Sequence, residues 1–494
     1  MTFNTFTFYL FFIAVVIVNY ILPRRWRWVW LLISSYIFYS FSDIKYSVVL
    51  LTCTGISYIA GRMVSETKHN KMKKIWMLVG VILNVGILIL FRYMNFFFDS
   101  ISTAAAATGL QWTFRGVELL YPIGISFYTF QVISYLLDVY SGKVEAEKNF
   151  AHYALYVSFF PQLLIGPIER YNHLKPQLLN PKSFEYHEFV DSLVRVGWGL
   201  FKKLVIADRL AVVANTVFAA PQDFNSPKLV VAIIAFSFQI YIDFSAYCDI
   251  AIGTANILGI NLIENFKQPY FAKSIIDFWR RWHISLNNWL RDYIFIRLNY
   301  KHRRKKPRKL WMSIDVMITF FVSGLWHGAN WTFIIWGALH GLYQIIEILT
   351  KEIRDKVIKK LNIDRSTFAH KTFQVLFTFG LVSFAWLFFK ANSISEAIQI
   401  MKSIITLNGI TAEEAWIFKD GSLGLDSKDF WMMTHTLLIL MVVEFLQCKN
   451  DLLVEINKQP TWFRWVVYYM LFFSITIFGF YGEANAVDFV YFQF

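Results

Sequence analysis

His327 lies in the polar knot Ser323-Gly324-Leu325-Trp326-His327-Gly328-Ala329-Asn330, at the centre of an otherwise apolar run from 310 to 348. An imidazole at membrane depth suits general-base chemistry, because an ordinary pKa of about 6.5 lets desolvation keep it uncharged at working pH. Attack of a hydroxyl on an ester or thioester needs such a group within hydrogen-bond reach of the attacking oxygen. Gly324 and Gly328 flank Trp326-His327 and permit tight turns or close approach of a ligand. Asn330 and Ser323 are placed to orient the ring or to hydrogen-bond a developing oxyanion. A second histidine, His283, falls in AKSIIDFWRRWHISLNNWLRDYIFIRL (272–298), with Asn287 one turn later on the same side of a helix. A lone membrane histidine is equally well a ring bonded to a neighbouring helix; the glycines and polar groups around His327 tilt the reading toward function.

The elements that must position these residues are apolar runs. The 310–348 stretch reads as a hairpin with His327 at its tip, basic at both ends: KHRRKKPRK precedes it, and Lys351, Arg354, Lys356, Lys359 and Lys360 follow. Both ends therefore face the cytoplasm. Arms of about 15 to 17 residues fall short of the roughly 20 that cross hydrocarbon, which would stop the tip near mid-membrane. Residues 272–298 are too charged to span. Phe278, Trp282, Leu286, Trp289, Leu290 and Tyr293 recur at helical spacing, so this segment is expected as an amphipathic helix at the interface or wedged into the bundle.

Upstream, helices are expected at about 5–22, 28–41, 46–64, 75–98 and 119–140. The basic clusters after the first and third place Met1 outside. FAHYALYVSFFPQLLIGPIERY is broken by Pro161, Gly166 and Pro167, so it belongs inside protein or along a cavity, with a kinked helix the alternative. Residues 191–218 carry Lys202, Lys203, Asp208 and Arg209 in an apolar pattern, either amphipathic at the interface or packed on a polar interior. Asp243 and Asp249, in the apolar run 228–262, line a substrate path or form buried ion pairs. Downstream, helices at about 372–389, 431–447 and 464–481 bring the C-terminus outside. His302 reads as solvated or lipid-facing in its basic loop. His340 reads as a packing or hydrogen-bonding position on a regular helix, a catalytic or substrate role being the alternative.

Composition sets the class. With 56% hydrophobic and 17% charged residues over 494 positions, the chain is an all-α polytopic membrane protein, read as a single integral-membrane domain over 1–494 with its motif core at about 150–348. The formal charge of +14 sits in short loops between apolar runs, which is topology and contact with anionic membrane lipids, not a nucleic-acid surface. Cys53, Cys248 and Cys448 have no metal-ligand spacing. No P-loop, HExxH, GxSxG or dinucleotide fingerprint occurs, and no metal or tightly bound cofactor is expected.

DFWRRWHISLNNWLRDY (277–293) together with SGLWHGANWTFIIWGALHG (323–341) closely resembles the signature of the membrane-bound O-acyltransferases. SFFPQLLIGPIERY (158–171) and the terminal VYFQF resemble the bacterial branch that acetylates alginate, peptidoglycan and cellulose, with teichoic acid D-alanylation more distant. The resemblance implies a bundle of roughly eleven spans in the bacterial cytoplasmic membrane, in which amphipathic and partly inserted helices frame a tunnel. It implies that His327 is the principal catalytic histidine and His283 the second, with Trp326 as support. It further implies that an acyl group, commonly acetyl from acetyl-CoA or another cytoplasmic thioester, crosses the membrane. An exported SGNH-hydrolase-like acyltransferase then completes transfer to a polysaccharide hydroxyl. No coenzyme-binding residue is singled out. Similar tails suggest Tyr491 as an acyl carrier: a phenol of pKa about 10 is a better leaving group than an alkyl alcohol. An aromatic interface anchor is the other reading of that tail.

A transporter or exporter of a lipid-linked or acylated precursor also fits intramembrane acids. That reading expects inverted repeats with paired broken helices, and none is legible.

Overall fold

The computed structural model describes residues 1–3, 5–109, 121–409, 421–481 and 489–490. Among these no strand occurs, as the bilayer requires: a segment in lipid must satisfy its backbone internally, and helices do so along their own length. Eight described helices are long and apolar enough to cross a membrane, and Phe6–Ile21 is shorter and apolar. The helix Thr461–Phe478 exposes Trp462, Phe472 and Ile477, an apolar surface of the kind a lipid-facing helix presents. The chain is an all-α, multi-pass membrane protein.

Two compact units are present, Met1–Val196 with Cys248–Ile263, and Gly197–Tyr247 with Glu264–Phe494. In the first, the broken stretch is interior as expected. Its residues from Tyr153 to Glu169 are all buried, and Pro161 opens the four-residue helix Phe160–Leu163. At Gly166 a Cβ would come within 2.3 Å of the Gln162 Cα. Glu169 is fully buried; its Oε1 accepts the Ile263 N–H at 2.6 Å and its Oε2 lies 2.7 Å from His173 Nδ1. Asp249 pairs with Arg195 at 3.0 Å, so it serves a salt bridge.

The second unit holds both histidine motifs. Its hairpin consists of Arg308–His327 and Trp331–Leu349, 20 and 19 residues long. The arms are thus longer than the expected 15 to 17, because Arg308 and Lys309 start the first helix and Trp326 and His327 finish it. At about 1.5 Å per residue each is about 30 Å long, so arm length no longer confines His327 to mid-membrane. Glycines bring the arms together. A Cβ on Gly324 would meet the Phe333 carbonyl oxygen at 2.4 Å, and one on Gly337 would meet that of Phe320 at the same distance. What approaches Gly324 is therefore the partner helix and not a ligand. Gly324→Ala is expected to destabilise the protein by about 1–3 kcal/mol, since backbone must move to admit the methyl. Thermal unfolding in detergent, compared with Gly380→Ala, where nothing lies within 4 Å, checks this.

The polar run also resolves to the interior: Lys202, Lys203, Asp208 and Arg209 are all buried around a π-helical turn, Lys202–Ala207, that leads into Asp208–Ala219. Asp243 pairs with Lys203 at 2.8 Å. His302 corrects the expectation of a solvated ring. It ends the helix Ile296–His302, is 8% exposed, and places Nδ1 2.7 Å from Asp315 Oδ1. The basic neighbours point outward while this one side chain turns in to a buried carboxylate.

Candidate active site

The amphipathic segment 272–298 is not one helix. It breaks between Ile275–Arg281 and Ile284–Leu290, and the break is His283, whose φ of 42° and ψ of 55° are left-handed. For a residue with a Cβ that conformation costs about 1–3 kcal/mol and persists only where the surroundings impose it. Here they do. The Ile284 N–H donates to the Asn265 carbonyl at 2.9 Å, and the Asn265 side-chain Oδ1 accepts from Ser285 N at 3.1 Å and Ser285 Oγ at 2.9 Å. Asn287 does not reach the His283 ring; its Nδ2 donates to the Trp279 carbonyl at 2.6 Å, tying the two short helices together.

Asn265 also sets the histidine's chemistry. A backbone N–H donates to its Oδ1, so that atom is the amide oxygen, and His283 Nδ1, 3.2 Å away, must carry a hydrogen to bond with it. In the neutral ring Nε2 is then the basic nitrogen. Burial holds His283 neutral, its pKa pushed down from 6.5 to about 3. The unfolded chain takes up this proton below about 6.5 and the folded ring refuses it until about 3. Stability from this group therefore falls with pH across that window and is level above it. His283→Gln is expected to make the melting temperature decline less steeply between pH 6.5 and 3, read by differential scanning fluorimetry.

Rings connect His283 to His327. His283 packs edge-on against Phe244 with centroids 4.8 Å apart, and against Trp326 at 5.8 Å. Trp326 in turn lies 4.9 Å from His327, which ends its helix 3% exposed and also contacts Trp336 at 4.8 Å and Phe389 at 5.3 Å. Trp336 continues to His340 at 5.0 Å. Trp279 Nε1 donates to His340 Nδ1 at 3.2 Å; indole is a donor only, so neutral His340 carries its hydrogen on Nε2. Three histidines thus share one buried aromatic wall, with hydrogen bonds orienting His283 and His340.

The expected helpers divide. Ser323 stands one turn before His327, fully buried, and its Oγ has no hydrogen-bond partner among the described residues. Trp326 contacts both histidine rings. Asn330 is occupied: its Oδ1 caps Trp331–Leu349 by accepting Thr332 N–H at 3.0 Å, and its Nδ2 donates to the Asn392 carbonyl at 3.1 Å. Tyr491 lies outside the described residues. Asn265 is the residue that sequence reading misses. It precedes His283 by 18 positions, in an irregular stretch with no periodicity to connect them.

Residues 147–391 match the model of the MBOAT, membrane-bound O-acyltransferase family. The chain is 37% identical to the "Probable alginate O-acetylase AlgI" of Pseudomonas syringae pv. tomato, over 80% of this chain and 74% of that protein. It is 31% identical to the "Peptidoglycan O-acetyltransferase" of Helicobacter pylori, over 94% and 91%. It is 29% identical to the "Teichoic acid D-alanyltransferase" of Bacillus subtilis, over 44% of this chain and 57% of that protein.

Proposed function

The chain belongs to the membrane-bound O-acyltransferase family, and from that premise we propose that it transfers an acetyl group from a cytoplasmic thioester, acetyl-CoA or a relative, toward O-acetylation of an extracytoplasmic polysaccharide. The observation that carries this reading is the buried wall His283–Trp326–His327, two buried histidines that both contact one indole. The names of the relatives favour acetyl over D-alanyl, since the two acetylating relatives align over far more of the chain. The membrane is taken to be the bacterial cytoplasmic membrane, with both chain ends outside.

In the reaction, His327 accepts the proton of the attacking hydroxyl as its oxygen bonds to the acyl carbon. The tetrahedral adduct collapses by breaking the C–S bond, and the coenzyme leaves as its thiol with that proton. Ser323, one helical turn away with an uncommitted buried hydroxyl, is placed to hydrogen-bond the adduct's oxygen. His283 presents Nε2 as a second acceptor. Tyr491 is the proposed first acceptor, an aryl ester that stays activated for a second enzyme, an exported SGNH-hydrolase-like acyltransferase. Export without chemistry has no specific support: Asp243 and Asp249, the acids that suggested a path, are both in ion pairs.

The test is to feed isotopically labelled acetyl-CoA to proteoliposomes lacking the exported partner and analyse the peptide containing residues 489–494 by mass spectrometry. Labelled acetyl on Tyr491, absent in Tyr491→Phe, is expected. Thioester consumption with no label on that peptide would remove Tyr491 from the scheme, and no consumption at all would count against the donor.

A further inference from the structure

Another buried polar site in the second unit holds charged side chains, and its Asp243 directly precedes Phe244, the ring that packs on His283. Lys203, 1% exposed, sits in the π-helical turn Lys202–Ala207, with Nζ 2.8 Å from Asp243 and 2.9 Å from Asp208. Two carboxylates share one ammonium here, all three buried inside protein. Such a group is stable only if its remaining lone pairs are bonded. The missing donor comes from the far end of the sequence: the Val490 backbone N–H donates to Asp243 Oδ2 at 2.6 Å.

Adjoining contacts seat the same segment. Lys203 Nζ lies 4.3 Å from the centre of the Phe489 ring, and Tyr247 meets that ring edge-on at 5.1 Å. Phe489 and Val490 are each 1% exposed. The approach is held as well, since the Phe480 N–H donates to the Leu204 carbonyl at 2.9 Å and Arg209, paired with Asp429, donates to the Phe478 carbonyl at 2.9 Å. One widened helical turn therefore grips the chain both where it leaves Thr461–Phe478 and again at 489–490. Wide turns of this kind recur at functional sites because they redirect backbone and side-chain groups.

We propose that the buried Lys203–Asp208–Asp243 cluster is a docking socket for the segment beginning at Phe489, fixing the backbone at Val490 and thereby the starting point from which Tyr491 reaches its acyl donor. The functional half rests on the reading of Tyr491 as acyl carrier; the docking half does not. The three charged residues are positioning residues, and Asp243 is the contact point.

Two measurements separate the halves. Phe494→Cys in a Cys448→Ser background, where Cys53 and Cys248 are buried, takes a nitroxide label whose mobility reports docking. The label is expected to be immobilised in the parent. It should become mobile in Lys203→Met/Asp208→Asn/Asp243→Leu, which removes the Val490 acceptor without leaving an unpaired buried charge. Asp243→Asn keeps an amide oxygen for Val490 while Lys203 keeps Asp208, and should hold the label. A label equally immobile in the triple variant, or mobile in the parent, overturns the socket. In the same proteins, label on Tyr491 from acetyl-CoA should fall roughly 10²-fold in the triple variant and recover in Asp243→Asn, since misplacing a reacting group costs about that much. Unchanged acylation with a mobile label overturns the positioning role. Absence of acyl-Tyr491 in the parent overturns the carrier reading and leaves the docking result standing.

Discussion

His327→Ala is expected to insert in the membrane at wild-type levels and to lose acyl transfer by roughly 10²–10⁴-fold, the range typical for removing a general base. The ring is 3% exposed between Trp326, Trp336 and Phe389, so truncation leaves a void, and His327→Gln is the companion that fills it. Both variants should fail alike in polysaccharide acetylation and in consumption of labelled acetyl-CoA, because glutamine restores volume but not a proton acceptor of suitable basicity. If the glutamine variant recovers activity, the ring is packing and not chemistry. Full acetylation by a stable His327→Ala protein would falsify the assignment.

The hairpin that carries His327 is readable because its signals are local and strong: a basic run, an apolar run, a glycine-rich polar interruption and the same again. Its arms read short because charged residues at one end and the Trp-His pair at the other look like loop, yet both are wound into the helix. The break at His283 is invisible for a physical reason. Phe278, Trp282, Leu286 and Leu290 keep the same helical phase on either side of the left-handed residue, so periodicity runs straight through it. His302 misleads in a different way, since its basic neighbours argue for solvent while its partner Asp315 lies across a turn. In each case patterns within a few residues are legible. A hydrogen bond between residues far apart in sequence leaves no such pattern, and the Val490 contact with Asp243 is an example.

Asn265 is where that blindness matters most for the candidate site. Asn265→Leu removes the acceptor that holds His283 Nδ1–H and leaves Ser285 N–H and Oγ without it too. With the tautomer no longer fixed, the basic nitrogen need not be Nε2. The expected result is a fall in kcat of roughly 10²-fold or more, between the loss of an orienting partner at a metal-bound histidine and the wrong-tautomer limit. KM for the thioester should change little. Because the leucine variant also strains the turn at Ser285, Asn265→Asp carries the decisive readout. A carboxylate accepts the same hydrogen bonds, so the turn and the tautomer survive and most of kcat should return. Its negative charge favours the imidazolium, so the acid limb of the pH–rate profile should move to higher pH than in wild type. A purely structural role for Asn265 predicts restored folding with no such displacement, and that outcome would reduce His283 from a chemical participant to a packed ring.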